Sequence, residues 1–322
     1  VGGAQSEQVT ASEEAVAVTV AIATYKRPAL LADALALILE QVTRSDIPVD
    51  VVVVDNDPQG SALEVVLRFA GAGVRYVAEP RPGLAAARNA ALGAARTRLL
   101  VFVDDDGRPD AEWLARLVET WRRTGADAVA GPAVRELPDV VEPWVRASRF
   151  FERRPRVTGS RVPGAGTGNL LLDLAALRRL DLRFDERFGL TGGEDTMLTR
   201  SLTARGGVIV WCEEAVLVDP VPPDRATRSW VLRREYRMGS TWSRVHLAVA
   251  PPGRARARQA AGLAVLGGGL LARGALRAAA GRATRTLGSR AEGERELARG
   301  RGVLAGVVGR RVEEYGRPRA QR

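Results

Sequence analysis

Three short runs limit what this chain can fold into: "VAVTVAIAT" at residues 16–24, "VDVVVV" at 49–54 and "LLVFV" at 99–103. They are almost wholly apolar and rich in β-branched residues, without the alternation of a strand that shows one face to water. Such strands are buried on both faces, as in a parallel sheet covered by helices. Helix-patterned segments lie between and after them, at 29–41, 61–70, 84–95 and 111–124, with shorter apolar runs at 74–77 and 127–130. Strand and helix in alternation predict an α/β fold, a mostly parallel sheet with helices on both faces. Beyond an irregular connecting stretch at 132–165, strands are expected at 166–172 and 208–211, a loop at 190–194, and helices at 196–204 and 229–238.

In open α/β sheets, ligands bind outside the carboxyl ends of the strands. Three predicted strands end in polar groups: Thr24-Tyr25, Asp55-Asn56-Asp57 and Asp104-Asp105-Asp106. Neighbouring parallel strands would bring these ends to one crevice. Adjacent carboxylates repel one another, and a divalent cation among them removes the penalty. Magnesium or manganese suits such a place, since each takes oxygen ligands, commonly one or two carboxylates plus a substrate's phosphates. On the residues alone a second reading stands beside this one: an acidic turn that starts the helix at Ala111.

Charge divides the chain. Residues 1–252 are nearly neutral, with a net charge of −1, whereas residues 253–322 hold 16 Arg and 5 Glu, a net of +11. The division predicts a flexible N-terminus at 1–14, a catalytic body at 15–252 and a basic, amphipathic helical tail at 253–322. The body carries no nucleic-acid motif, so no nucleic acid is expected as a partner, and a basic nucleic-acid-binding protein stands as the alternative of a different class. Cys212 is the only cysteine, which excludes an internal disulfide and suits a reducing compartment. Residues 1–14 lack the pattern of a signal peptide. In the tail, residues 260–272 are apolar and flanked by arginine, but this uninterrupted run is shorter than a spanning helix needs. Two expectations for the tail stand side by side: peripheral contact with an anionic membrane surface, or packing on the body.

Six motifs follow one another along the chain: "VAIATYKRP", "VVVVDNDP", "EPRPGLAAARNAAL", "VFVDDDGRPDAEWL", "TGNLLLD" and "GGEDTMLTRSL". In this order they resemble the family 2 glycosyltransferases of the GT-A fold, a Rossmann-like architecture. In detail they are similar to succinoglycan-type glucosyltransferases of exopolysaccharide synthesis, over roughly residues 16–245. The resemblance implies that Thr24, Tyr25 and Arg27 lie along the nucleotide, with Tyr25 on the uracil, and that Asp55 accepts the base N–H. It places Arg88 and Asn89 near the nucleotide-sugar, Asp104 on the ribose with the variable Asp105 beside it, and Asp106 on the metal. It makes Glu194-Asp195 the catalytic pair, with Asp195 as general base. Plainer readings remain for several: a core-edge Tyr25, a turn at Asp55, an ion pair at Arg88, a helix cap at 194–195.

Lesser expectations accompany these. Gly83 opens a helix whose N–H groups would face phosphate, and Gly192-Gly193 would admit substrate closely. Residues 166–169 and Trp211 would line the sugar or acceptor pocket. By the same resemblance Arg233, Arg234 and Arg237 approach the diphosphate, with a solvated basic helix face as the plainer reading; a late histidine completes the metal shell in some enzymes of this fold, and the role of His246 stays open. The implied activity is inverting, metal-dependent transfer of a sugar, UDP-hexose being the expected donor, to a hydroxyl of a glycan or lipid-linked acceptor. The expected location is the cytoplasm, peripheral to the inner membrane face. A nucleotidyltransferase is the main alternative, but "ATYKRP" lacks its glycine-rich phosphate loop; a glycoside hydrolase would need no nucleotide crevice.

Overall fold

The computed structural model describes residues 16–310, so the expectation of a flexible segment at 1–14 and the last stretch of the tail lie outside the described residues. A seven-stranded sheet forms the centre. In chain order its strands are β1 (Val18–Thr24), β2 (Val49–Asp55), β3 (Arg75–Ala78), β4 (Leu99–Asp104), β6 (Ala128–Ala130), β8 (Asn169–Asp173) and β9 (Ile209–Trp211). Their spatial order is β3-β2-β1-β4-β8-β6-β9. The sheet is mostly parallel, as expected; only β8 runs against its neighbours β4 and β6. A second, small sheet joins β5 (Arg108–Pro109), β10 (Leu217–Pro220) and β7 (Ala133–Glu136).

Side chains alternate across the strands, so each face collects every second residue. Val20, Ile22, Val51, Val53, Val101 and Val103 meet helices α1 (Pro28–Arg44), α2 (Leu63–Arg68) and α4 (Trp113–Thr124) on one face. Ala21, Val52, Val54, Leu100 and Phe102 meet α3 (Leu84–Ala94), α6 (Leu174–Arg179) and α7 (Glu194–Ala204) on the other. Burial on both sides is why the strands read as unbroken apolar runs. Pro28 starts α1 at a position where a missing N–H costs nothing. The short helix α5 (Pro143–Ser148) interrupts the irregular segment.

Three helices close the described chain: α8 (Arg228–Val249), α9 (Arg254–Ala283) and α10 (Leu287–Val307). Helix α8 runs well past the expected end at 238. Helix α10 packs along both α8 and α9 and touches α5, so the tail does pack on the body. Glycines make the approach possible. A Cβ at Gly302 would collide with the Tyr236 carbonyl, and one at Gly274 would lie 2.8 Å from the Gly293 carbonyl. Gly267, Gly274 and Gly281 recur every seven residues along α9, as do Gly293 and Gly300 along α10, each on a contact face.

The outer side of α9 is left open: Val265 is 77% and Leu276 74% exposed. The helix contains an 18-residue window of mean hydropathy 1.3, long and apolar enough by length and composition to cross a membrane. That corrects the expectation from the 260–272 run, which counted only uninterrupted apolar residues and stopped at Arg273.

Candidate active site

β1 lies between β2 and β4, so their ends form a row: Thr24 pairs with Asp55, and Ala23 with Asp104. The turn after β1 holds Lys26 in the left-handed region, with φ 56°. Backbone strain of this kind at a strand end is a common mark of a working site. Tyr25 stands at the rim, 37% exposed, with the Lys26 ammonium 5.4 Å from its ring centre.

Two arginines offset the repulsion within the aspartate triplet, Arg27 at Asp105 and Asp106 and Arg88 at Asp104. Asp105 turns inward, 5% exposed, and accepts from Thr24 Oγ1 at 2.7 Å and Arg27 Nη1 at 3.0 Å. Asp106 accepts from the same nitrogen at 3.2 Å. Asp104 instead faces Arg88 Nη2 at 3.5 Å and lies against the backbone of Gly168, where any Cβ would come within 2.6 Å of Oδ2. Desolvation raises the pKa of the buried Asp105 and of the half-exposed Asp104, and the charge on Asp106 adds to both, against the arginines.

Glu194 and Asp195 form the first turn of α7, behind the left-handed Gly193. Glu194 is buried and ion-pairs with Arg88. Burial pushes its pKa up to about 7; Arg88 opposes this, and Asp195 and Asp104 add to it. Its Oε2 is buried without a hydrogen-bond partner among the described residues. Asp195 is partly exposed; Oδ1 accepts from Thr196 Oγ1 at 3.1 Å, and Oδ2 approaches the backbone where Gly166 lacks a side chain. Arg88 therefore joins Asp104 to Glu194, and the segment 166–168 meets Asp195 at one end and Asp104 at the other. The triplet and the acidic pair share one crevice.

One residue of this crevice was not expected from the sequence. Asp219, on β10, is buried and pairs with Arg135 of β7, its register partner. Burial lifts its pKa to about 6, opposed by Arg135 and reinforced by Asp106 and then Asp104. The available signal was an acid inside an otherwise apolar "VLVDP" run.

Other expected residues prove to hold the frame. Asp55 is fully buried; its carboxylate takes the N–H groups of Asp57 at 2.9 Å and Ala62 at 2.7 Å and the Tyr76 hydroxyl at 3.2 Å. These contacts fix the turn after β2. Thr24 and Asp105 clamp β1 to β4. Asn89 exchanges two hydrogen bonds of 2.9 Å with the Phe184 backbone, pinning that loop. Asn169 links Trp113, Pro132 and Ala215.

The start of α3 meets protein: Leu84 N–H donates to Gly189 at 3.3 Å and Gly83 N–H to Asn56 at 3.1 Å. Gly193 accommodates Thr241 of α8, with which a Cβ would collide, rather than substrate. Trp211 lies on the edge strand β9 and donates to Glu213 at 2.7 Å. Arg234 packs over Trp230. His246 packs against Trp242, ring centres 3.9 Å apart and tilted by 59°, and burial followed by Arg200 lowers its pKa.

Among the described residues, no group of three or more His, Cys, Asp or Glu is placed to hold a metal ion. The groups that act on one another here are the carboxylates of Asp104, Asp106 and Asp219. Carboxylate oxygens are the ligand type that magnesium and manganese take, commonly one or two of them with a substrate's phosphates completing the shell.

An open α/β sheet with an acidic crevice at its carboxyl edge is the GT-A architecture. The family model for glycosyl transferase family 2 matches residues 19–182. Over 242 residues the chain is 32% identical to the succinoglycan biosynthesis protein ExoM of Rhizobium meliloti, covering 72% of this chain and 76% of ExoM. The chain belongs to glycosyltransferase family 2. Its fold is similar to that of the mannosyltransferase PcManGT of Pyrobaculum calidifontis, in complex with GDP-Man and Mn2+, with TM-score 0.55 and 23% identity over 87% of this chain and 85% of that one. It is likewise similar to S. aureus TarS 1–349 in complex with UDP-GlcNAc, with TM-score 0.51 and 15% identity over 87% and 90%.

Proposed function

We propose that this glycosyltransferase moves a hexosyl group from a UDP-sugar, with inversion, to a hydroxyl of a glycan or lipid-linked acceptor in exopolysaccharide synthesis. One observation carries the reading: Arg88 ties Asp104 to Glu194, which sets Asp195 in the same crevice as the aspartate triplet. Asp195 takes the acceptor's hydroxyl proton as its oxygen attacks the anomeric carbon, and the carbon–phosphate oxygen bond breaks on the opposite face. Glu194 keeps Arg88 in place, and Arg88 and Arg27 orient the carboxylates. Asp106 would be the first ligand for a divalent cation, with Asp104 and Asp219 as its carboxylate neighbours, and a cation held there would neutralise charge on the diphosphate leaving group. Tyr25 offers an exposed ring to the base. The likeness to ExoM supports the polysaccharide setting, and the complexes of TarS and PcManGT support a nucleotide-sugar donor and a cation.

For the tail, the reading is an interfacial helix at the inner face of the cell membrane. The outer side of α9 offers Val265, Leu266 and Leu276 to the bilayer between arginines at 254–258 and at Arg282. Arginine stems along such a face extend toward headgroups. Crossing the bilayer would carry in α10, whose Glu292 and Glu296 pair with Arg277 of α9.

Asp195→Asn tests the chemistry. Transfer to acceptor is expected to be lost while calorimetric binding of UDP with manganese stays nearly intact. Retained turnover would remove Asp195 from its role.

A further inference from the structure

Residues of α8, α9, α10 and 149–154, none of them from the acidic crevice, line a concavity of about 520 Å³. Seven arginines and four glutamates dominate its lining. Glu213, outside it, neutralises Arg153, which leaves two more guanidinium charges than carboxylates. The carboxylates fix the arginines in place. Glu235, 1% exposed on α8, holds Arg295 and Arg299, each at 2.7 Å. Glu296 holds Arg273 at 2.9 Å. Arg154 makes no ion pair among the described residues. Preordered guanidinium forks with surplus positive charge suit one anion class above others, the phosphate group. A phosphate monoester carries nearly two negative charges at neutral pH, which matches the surplus. Arg273 and Arg277 come from α9, the helix whose outer side offers Leu276 and Val265 to a bilayer, and Leu270 lines the mouth.

We infer that this cavity binds the phosphate or diphosphate group of a membrane lipid lying beside α9. The inference rests on the interfacial reading of α9 for the lipid, though not for the phosphate, and does not depend on the transfer reaction.

The test uses the full chain with a chelator present, so that no divalent cation occupies the catalytic crevice. Inorganic diphosphate is titrated by calorimetry, and flotation is measured with vesicles of phosphatidylcholine alone or with phosphatidic acid added. Wild type is expected to bind diphosphate, to float only with phosphatidic acid, and to be displaced from vesicles by diphosphate but not by chloride of equal ionic strength. Arg154→Gln with Arg273→Gln should weaken diphosphate binding about ten-fold or more per arginine. Arg254→Gln with Arg256→Gln, outside the cavity, should leave it unchanged. Val265→Asp with Leu276→Asp should abolish flotation and keep diphosphate binding. Diphosphate binding by wild type without flotation would overturn the lipid as source and the interfacial reading with it, leaving a site for soluble phosphate. Absence of diphosphate binding, or equal losses in the two arginine pairs, would overturn the site itself.

Discussion

Replacing Arg88 with methionine removes a buried guanidinium while keeping much of its volume. Two carboxylates lose their partner: Glu194, 1% exposed, and Asp104, 3.5 Å away. Breaking a buried pair from one side costs about 3–5 kcal/mol, because the remaining charge is stranded. Here the cost depends on pH. Folding raises the Glu194 pKa from 4.5 to about 7, so burying its charge costs stability increasingly as pH rises through that window. At pH 5.5 Glu194 is protonated with or without Arg88, and its share of the loss disappears. At pH 8 it is ionised in wild type, and the variant must either bury a lone carboxylate or take up a proton. The full loss of about 3–5 kcal/mol is therefore expected at pH 8 and a distinctly smaller one at pH 5.5. Urea unfolding followed by tryptophan fluorescence at the two pH values reads this directly. Adding Glu194→Gln to the variant should recover much of the loss at pH 8. Equal losses at both pH values, or no recovery in the double variant, would refute the Arg88–Glu194 reasoning.

Further expectations follow from single contacts. A raised pKa of about 6 means Asp219 must lose a proton before it can face a cation. Manganese-dependent UDP affinity should therefore rise between pH 5 and 7, and Asp219→Asn should flatten that rise, as isothermal titration would show. Gly193→Ala combines a φ of 96° with a collision at Thr241 Cγ2. Its melting curve should show a loss of about 2 kcal/mol or more, of which Thr241→Ser, lacking that methyl, should return the steric part.

The strands were legible because burial on both faces leaves unbroken β-branched runs, and the crevice was legible because three adjacent strands end in polar residues. What the local pattern could not carry was the direction in which each acid points. Asp104 and Asp105 are neighbours in sequence, yet one meets Arg88 from α3 and the other Thr24 from β1. Asp55 and Asn89 also hold the frame, Asp55 through the N–H groups of the turn that follows it and Asn89 through the distant Phe184 backbone, a contact that the local pattern does not show. Asp219 escaped notice because β10 exists only through pairing with β5 and β7, segments distant in the chain. The seven-residue glycine spacing of α9 and α10 was present in the sequence. Its meaning as a contact face appears only once the two helices lie side by side.

The central claim is that these strand tips form one oxygen-rich seat for a dication and the diphosphate it grips. Calorimetric titration of UDP into wild type and Asp106→Ala, with and without manganese, tests it most directly. Tight binding only with manganese, and its weakening in Asp106→Ala, is the predicted result; equal affinity in all four titrations would contradict the account.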